Sequence, residues 1–141
     1  MTERVFVDTN VLVYLFDKAS PAKQLRSQEL LSSHGSQHEL VLSTQVLQEF
    51  LSVATRKLVP PLEPAEALAV VEDLTRLPVV VLETAILISA MRRTVADSLS
   101  FWDALIVEAA LSANCQRMGS EDFQAGRRFG SLWVETPFLN P

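Results

Sequence analysis

The chain has 141 residues, the usual length of one domain, so a single domain is expected over residues 1–141. Its composition, 48% hydrophobic and 21% charged, is that of a folded globular protein and excludes a disordered chain. A net charge of −5 disfavours a surface that binds nucleic acid through its charge alone, and a single cysteine excludes an intramolecular disulfide.

The distribution of charges disfavours membrane insertion and secretion. No apolar run without charges reaches the ~18 residues that a membrane span needs. The first apolar segment is preceded by Glu3 and interrupted by Asp8, unlike a signal peptide. Together with the lone Cys115, these features predict a cytoplasmic protein that has no membrane segment.

A polar tripeptide, Asp8-Thr9-Asn10, follows the first apolar segment. Residues 5–7 predict a buried strand, and the apolar residues after Asn10 predict a short helix that continues through Phe16. Asp8 therefore lies at the carboxyl end of a strand, where open α/β sheets bind ligands. Two roles are open for it: a cap for the following helix, or a partly buried carboxylate that needs a cation or hydrogen-bonding partner.

Strand-like and helix-like segments alternate along the rest of the chain. Strands are predicted at residues 40–42, 79–82, 116–119 and 132–134, and helices begin near residues 20, 43, 64, 84 and 100. The run 79–82 is the clearest strand, and the helix after it extends from Thr84 through Met91. This alternation predicts a parallel sheet with helices on both faces.

Glu49 lies in the helix that follows the second strand, off the centre of an apolar stripe. Its neighbours on the helix surface include Val46 and Val53, so its side chain borders apolar surface. One interpretation is a solvated flank without a role. The other is a carboxylate at the same edge of the sheet as Asp8.

The helix from residue 100 to residue 111 is apolar on nearly all sides, which predicts that it is largely buried. Asp103 is one of only two charged residues in it. Ser100 and Asp103 match a capping box, so Asp103 could simply stabilise the start of the helix. That role is compatible with metal ligation by the other carboxylate oxygen.

A further acidic segment, Ser120-Glu121-Asp122, follows the weak strand candidate at residues 116–119. Its place in the alternation puts Asp122 at the same edge of the sheet as Asp8. The alternative is a short helix capped by Ser120 or Asp122. Further along, Arg127 and Arg128 are candidates for contacts with phosphate, or else a solvated pair in a loop.

Four acids therefore share one description: Asp8 and Asp122 follow strands, while Glu49 and Asp103 lie in the first turns of helices. In a right-handed wound sheet, strand ends and helix starts meet at one edge, so we expect the four carboxylates to lie together. Clustered carboxylates repel and require a cation. The chain offers no plausible Cys and His ligand set, so the expected ion is Mg²⁺ or Mn²⁺, which can activate water against a phosphodiester.

Short blocks around these acids resemble the PIN-domain ribonucleases, and most closely the VapC-type toxins of toxin–antitoxin pairs. The blocks are VDTNVL at residues 7–12, STQVLQEF at 43–50, LSFWDALIV at 99–107, and SED at 120–122 followed by GRRFG at 126–130. Each block is short, but their order and spacing together are specific. The resemblance runs from about residue 4 to residue 138.

The resemblance implies a three-layer α/β/α sandwich with a short, mainly parallel central sheet, and a Mg²⁺- or Mn²⁺-dependent endoribonuclease. It also implies a homodimer and a small antitoxin partner that carries a DNA-binding end. The strand candidate at residues 116–119 is less apolar than is usual in the family, so Asp122 ranks below the other acids. The residues that carry over are the acids Asp8, Glu49, Asp103 and Asp122, which would be catalytic and bind the metal, and the supporting residues Thr9, Asn10 and Ser120.

Three functional interpretations follow. The first is the metal-dependent endoribonuclease, with Arg127 and Arg128 as possible phosphate contacts. The second is a phosphotransferase or phosphatase that uses Asp8 as a covalent nucleophile. That class generally has a second acid two residues on, where this chain has Asn10. The third is a catalytically silent PIN-fold binding module, against which the retention of all four acids argues.

Overall fold

The strand that leads to Asp8 lies inside the central sheet. The structure, a computed structural model, describes residues 3–138. Its strands are β1 (Glu3–Val7), β2 (His38–Ser43), β3 (Val79–Val80), β4 (Arg117–Gly119), β5 (Arg128–Phe129) and β6 (Leu132–Glu135). Its helices are α1 (Thr9–Tyr14), α2 (Pro21–Ser32), α3 (Thr44–Arg56), α4 (Pro64–Leu74), α5 (Thr84–Asp97) and α6 (Phe101–Ser112).

The six strands form one sheet in the order β3-β2-β1-β4-β6-β5. Every neighbouring pair is parallel except β5 and β6, which form an antiparallel hairpin. Consecutive residues of β1 and β2 are fully buried, including Val5, Phe6 and Val7, because helices cover both faces of the sheet. This architecture confirms the predicted α/β sandwich with a mainly parallel sheet.

The direction of the strands brings three chain segments to one edge. β1 pairs in parallel with β2 on one side and with β4 on the other, so all three end at the same edge of the sheet. The backbone N–H of Asp8 continues the ladder by donating to the carbonyl of Gly119 at 3.0 Å. The ends of these three strands are consequently marked by Asp8, Ser43 and Ser120, and the chain leaves the sheet there.

Side chains cap the helices that begin at this edge. Asp8 precedes α1 and accepts from the backbone N–H of Thr9, and Ser43 precedes α3 and accepts from Val46. Ser100 precedes α6 and accepts from the N–H of Asp103. The predicted helix starts at residues 43 and 100 are therefore confirmed, and so is the capping role of Asp8.

Two predicted elements differ in extent. The predicted strand at residues 79–82 is a strand only at Val79–Val80, because it is an edge strand that pairs with β2 alone, and Val81 is exposed. The helix predicted to run through Met91 continues to Asp97 and ends where Ser98 adopts a left-handed conformation, with φ at 54°.

The end of the chain holds a hairpin that the sequence pattern does not predict. Arg128 belongs to β5, not to a loop as in one of the two interpretations, and the chain reverses at Gly130, whose φ is +60°. The alternative of a short helix capped by Ser120 or Asp122 is wrong, because residues 120–127 form no helix. No helix within residues 3–138 is long and apolar enough to cross a membrane.

Candidate active site

Asp8 is the most buried of the four acids, with 4% of its surface exposed. Its Oδ1 accepts a 2.7 Å hydrogen bond from the backbone N–H of Thr9. Its Oδ2 accepts a 2.7 Å hydrogen bond from the hydroxyl of Ser120, which is fully buried. Both carboxylate oxygens are therefore held in place by groups that belong to different parts of the chain.

The surroundings of Asp8 disfavour its charge. Burial raises the pKa of this carboxyl from 3.8 to about 6, against the lowering effect of the hydrogen bonds from Ser120 and Thr9. The negative charges of Asp122 and Glu49 add to the increase. A cation next to Asp8 would restore the charged form, so this carboxylate has a physical reason to bind one.

Asn10 lies between the two aspartates. Its Nδ2 is 3.1 Å from Oδ2 of Asp122, 3.4 Å from Oδ2 of Asp8 and 3.4 Å from the hydroxyl of Ser120. Its Oδ1 accepts a 3.1 Å hydrogen bond from the backbone N–H of Glu121, and Ser120 accepts one from the N–H of Asp122 at 3.1 Å. Asn10 thus fixes the loop after β4 against the start of α1.

Glu49 reaches the same site from α3. Its Oε2 accepts a 3.1 Å hydrogen bond from the hydroxyl of Thr9, and its Oε1 accepts a 2.8 Å hydrogen bond from Nε2 of Gln45. The same Nε2 lies 3.1 Å from the carbonyl oxygen of Trp102. Both partners of Gln45 are acceptors, so its amide NH₂ must face them. Glu49 is therefore oriented by two hydrogen bonds while its side chain stays partly exposed, and its functional role stays a prediction.

Asp103 stands apart from the other three acids in its contacts. Its backbone N–H donates to Ser100 at 3.1 Å, and within residues 3–138 its carboxylate makes no hydrogen bond. Ser100 is therefore the N-cap of α6. Within residues 3–138 the reciprocal bond to the Asp103 carboxylate that would complete a capping box is not formed, so this carboxylate is uncommitted. Gln45 links the preceding residue, Trp102, to Glu49, and this is the connection between α6 and the rest of the site.

The donor set fits a hard cation with a large share of water ligands. Within residues 3–138, no three His, Cys, Asp or Glu side chains are close enough to hold one metal ion together. However, Asp8 and Asp122 both face the same nitrogen of Asn10, and Mg²⁺ commonly binds through one or two carboxylates and several waters. The carboxylates, hydroxyls and amide oxygen here are ligands suited to Mg²⁺ or Mn²⁺.

A second polar network borders the acids. The hydroxyl of Tyr14 donates to Oε1 of Glu121 at 2.7 Å, while Lys23 forms an ion pair with Oε2 of Glu121 and a 3.2 Å hydrogen bond with the Tyr14 oxygen. Burial alone would raise the pKa of Glu121, but the hydrogen bonds from Lys23 and Tyr14 outweigh it and lower the pKa. This network ties the loop that carries Asp122 to α1 and α2.

A cleft of about 350 Å³ opens beside these groups. Its lining comprises residues from α1, the turn after α1, α3 and the loop after β4: Thr9, Asn10, Val13, Tyr14, Asp17, Glu49, Val53, Glu121 and Asp122. Four of the predicted site residues thus face one open space together.

Arg127 and Arg128 have contacts elsewhere. Nη2 of Arg127 donates to the carbonyl of Asp97 at 3.0 Å, and its guanidinium lies 4.7 Å from the centre of the Phe129 ring. The guanidinium of Arg128 lies 4.1 Å from the centre of the Trp133 ring. These contacts join β5 to α5 and β6, and within residues 3–138 they involve none of the four acids.

Sequence patterns do not predict four residues of these networks: Gln45, Tyr14, Lys23 and Glu121. Gln45 could have been found from its spacing, because it precedes Glu49 by one helical turn, where side chains meet. Tyr14, Lys23 and Glu121 have no such local relationship, since Glu121 lies about a hundred residues from its two partners.

The sequence itself defines the class of this protein. A model of the PIN domain family matches residues 5–128, and the chain therefore belongs to the PIN-domain family. A comparison with curated proteins gives no significant match.

Solved structures with the same fold include toxins of the VapC type. The VapC20 toxin of Mycobacterium tuberculosis, described as cleaving the sarcin–ricin loop, is 19% identical with a TM-score of 0.66, covering 84% of this chain and 89% of its own. A toxin–antitoxin complex from Klebsiella pneumoniae is 15% identical with a TM-score of 0.70, covering 94% and 97%. The DNA-bound VapBC complex from Salmonella typhimurium is 20% identical with a TM-score of 0.64, covering 97% and 99%.

Proposed function

We propose that this PIN-domain protein is an endoribonuclease that depends on Mg²⁺ or Mn²⁺ and serves as the toxin of a toxin–antitoxin pair. The observation that carries the proposal is the buried carboxylate of Asp8 at the end of a central strand. Asp122 shares a hydrogen-bonding partner with it, and Glu49 reaches its neighbour Thr9. An oxygen-rich, negatively charged site at this edge suits a divalent cation and a phosphodiester substrate.

In this proposal the metal would lie among Asp8, Glu49, Asp103 and Asp122, with one or two of these carboxylates bound to it directly and the others bound through its water ligands. When bound, the ion supplies the Lewis acidity that activates water and offsets negative charge on the phosphate. Ser120 and Thr9 orient the carboxylates of Asp8 and Glu49 through their hydroxyls. Asn10 holds the loop of Asp122 in place, so that its carboxylate faces the same cleft.

RNA is the proposed substrate because a solved relative with the same fold, VapC20, is described as cleaving the sarcin–ricin loop. The small antitoxin with a DNA-binding end is proposed on similar grounds, since other structures with this fold are toxin–antitoxin complexes, one of them bound to DNA. A homodimer and a cytoplasmic location belong to the same proposal. Light scattering of the protein, alone and after co-expression with the product of the adjacent gene, tests the assembly.

The test of activity combines metal removal with matched substitutions. The protein should cleave bulk ribosomal and transfer RNA in Mg²⁺ or Mn²⁺, and EDTA should abolish cleavage. Asp8→Asn and Asp103→Asn should each lose cleavage while the protein remains folded. Asp73→Asn is the matched control, because Asp73 is an exposed residue of α4 whose side chain pairs with the exposed Arg76.

Full cleavage after thorough chelation would remove the metal from the mechanism. Full cleavage by Asp103→Asn would leave Asp103 as a capping residue only. Arg127 and Arg128 remain candidates for phosphate contacts. Substituting both with Gln should raise KM and weaken its dependence on salt.

The phosphotransferase alternative is less well supported by the geometry. The candidate nucleophile, Asp8, is a buried side chain with 4% of its surface exposed. Asn10, two residues on, binds through its amide and cannot act as a general acid. A covalent phosphate on Asp8, trapped after incubation with a phosphodonor, would favour this alternative.

A further inference from the structure

Trp102 is the most exposed aromatic side chain in residues 3–138, with 65% of its surface accessible. It is the second residue of α6, and residues 104–107 of that helix are buried. The Phe101 ring packs against the indole at an angle of 68°, with 5.4 Å between ring centres, and leaves most of the indole open. A large aromatic side chain is thus held outside the core at the start of this helix.

The position of Trp102 connects it to the candidate active site. Its carbonyl oxygen accepts a hydrogen bond from Gln45, whose amide also binds Glu49. Its neighbour in sequence, Asp103, is one of the four acids. Trp102 therefore stands at the start of the helix that carries Asp103, within reach of an RNA strand bound at this acid.

The charge around the site favours an additional non-ionic contact. The chain as a whole carries a net charge of −5, so electrostatic attraction of RNA is limited to local basic groups such as Arg127 and Arg128. Proteins that bind single-stranded RNA obtain affinity instead by stacking unpaired bases on aromatic rings. Trp102 offers such a ring next to Asp103, whereas the other tryptophan, Trp133, is less exposed, at 39%, and its ring already contacts the guanidinium of Arg128.

We propose that the indole of Trp102 stacks on an unpaired base adjacent to the scissile phosphate and so selects single-stranded RNA. The proposal rests on the proposed ribonuclease function and adds a specificity residue to it. Stacking contributes about 1–3 kcal/mol per base, which corresponds to a change of roughly 5- to 150-fold in affinity. Duplex RNA, whose bases are already stacked on each other, gains nothing from this contact.

Tryptophan fluorescence can report on Trp102 alone in a variant that lacks Trp133. The double variant Asp8→Asn and Trp133→Phe keeps the RNA intact and leaves Trp102 as the only tryptophan, since the chain has two. A short single-stranded RNA of random sequence should quench its fluorescence, and the same RNA as a duplex should not. The matched variant Asp8→Asn and Trp102→Phe should respond to neither. No quenching of Trp102 at an RNA concentration that saturates binding would overturn the proposal.

Kinetics then separate stacking from catalysis. Trp102→Leu should raise KM for single-stranded RNA about tenfold with little change in kcat, Trp102→Phe should fall between, and Trp133→Leu should match the wild type. Unchanged KM in Trp102→Leu would overturn the proposal while the ribonuclease function stands. Absence of cleavage by the wild type would contradict the function itself, and the binding assay would still decide whether Trp102 stacks.

A protein interface is the competing use of this side chain. Light scattering of Trp102→Leu distinguishes the two uses. If the indole is buried between two copies of the chain, its removal should cause the copies to dissociate. Dissociation together with unchanged RNA binding would overturn the stacking proposal. An unchanged molecular mass together with weaker RNA binding would support it.

Discussion

The hydroxyl of Ser120 donates a 2.7 Å hydrogen bond to Oδ2 of Asp8, and both residues are buried. The bond lowers the pKa of Asp8, yet burial has the larger effect and the pKa still rises to about 6. The carboxylate is therefore well positioned but electrostatically strained in the absence of a cation. This combination gives the site several measurable properties.

The first prediction concerns stability against pH in metal-free buffer. The pKa of Asp8 is about 6 in the folded protein and near 3.8 in the unfolded chain. Between these two pH values the folded state therefore binds the Asp8 proton more tightly than the unfolded state does. Stability should therefore fall as pH rises from about 4 to about 6, by about 3 kcal/mol for this group. Urea denaturation of the wild type and of Asp8→Asn should show curves that diverge over this range, with Asp8→Asn gaining relative stability.

Mg²⁺ provides the internal control. Above pH 6 it should stabilise the wild type, because a cation compensates the buried charge, and it should stabilise Asp8→Asn much less. If the wild type and Asp8→Asn lose stability in parallel as the pH rises, the titration of Asp8 is not the cause of the loss.

The second prediction concerns Gln45, whose NH₂ group faces two acceptors. Gln45→Glu places a carboxylate against Glu49 and against the carbonyl of Trp102, so two hydrogen bonds become repulsive contacts. We expect a loss of roughly 2 kcal/mol or more in the free energy of unfolding and a large loss of cleavage. Gln48→Glu is the matched control, since Gln48 is exposed on the same helix, and it should change neither. Equal effects at the two positions would show that the added charge alone matters.

The third prediction concerns Asn10. Asn10→Asp keeps the acceptor for the N–H of Glu121 but removes the donor that lies between Asp8 and Asp122. Without metal, thermal melting should show a loss of about 1–3 kcal/mol from repulsion, and Mg²⁺ should recover most of it. Asn114→Asp makes the same charge change at an exposed position beyond α6 and should be indifferent to Mg²⁺. A melting temperature of Asn10→Asp that ignores Mg²⁺ would argue against a cation site here.

The fourth prediction uses Tyr14, which is the only tyrosine of the chain. Its hydrogen bond to Glu121 raises its pKa, while Lys23 acts in the opposite direction. Titration of tyrosinate absorbance should therefore give a pKa above the ordinary value, lower in Glu121→Gln and higher still in Lys23→Met. Shifts in the same direction for both variants would mean that the network is not formed in solution.

The sheet was predictable because its signals are local. Short apolar runs such as residues 40–42 and helix starts such as Ser43 and Ser100 are encoded within a few residues, and both are confirmed. The edge strand at Val79–Val80 was overestimated because its apolar run continues past the last residue that can pair with β2. The β5–β6 hairpin depends on the conformation of Gly130, which its flanking residues do not signal.

The candidate site was predictable in position but not in detail. Strand polarity and the resemblance to PIN domains placed Asp8, Glu49 and Asp122 at one edge, and their contacts in the structure agree with that placement. The bond from Gln45 to the carbonyl of Trp102 and the link from Tyr14 to Glu121 arise from tertiary contacts that leave no periodic pattern. The metal-binding role of the four acids stays a prediction. For the Asp103 carboxylate, which makes no hydrogen bond within residues 3–138, it is the role that remains to be tested.

The strand order has a consequence for biosynthesis. Asp8 is made early, but the hydroxyl that orients it belongs to a residue 112 positions later, on the far side of β4. A growing polypeptide that has not yet released β4 from the ribosome therefore carries Asp8 without Ser120, Asp122 or a neighbouring parallel strand on that side. If the protein cleaves RNA, its active site is therefore incomplete while the chain is still attached to the ribosome that synthesises it.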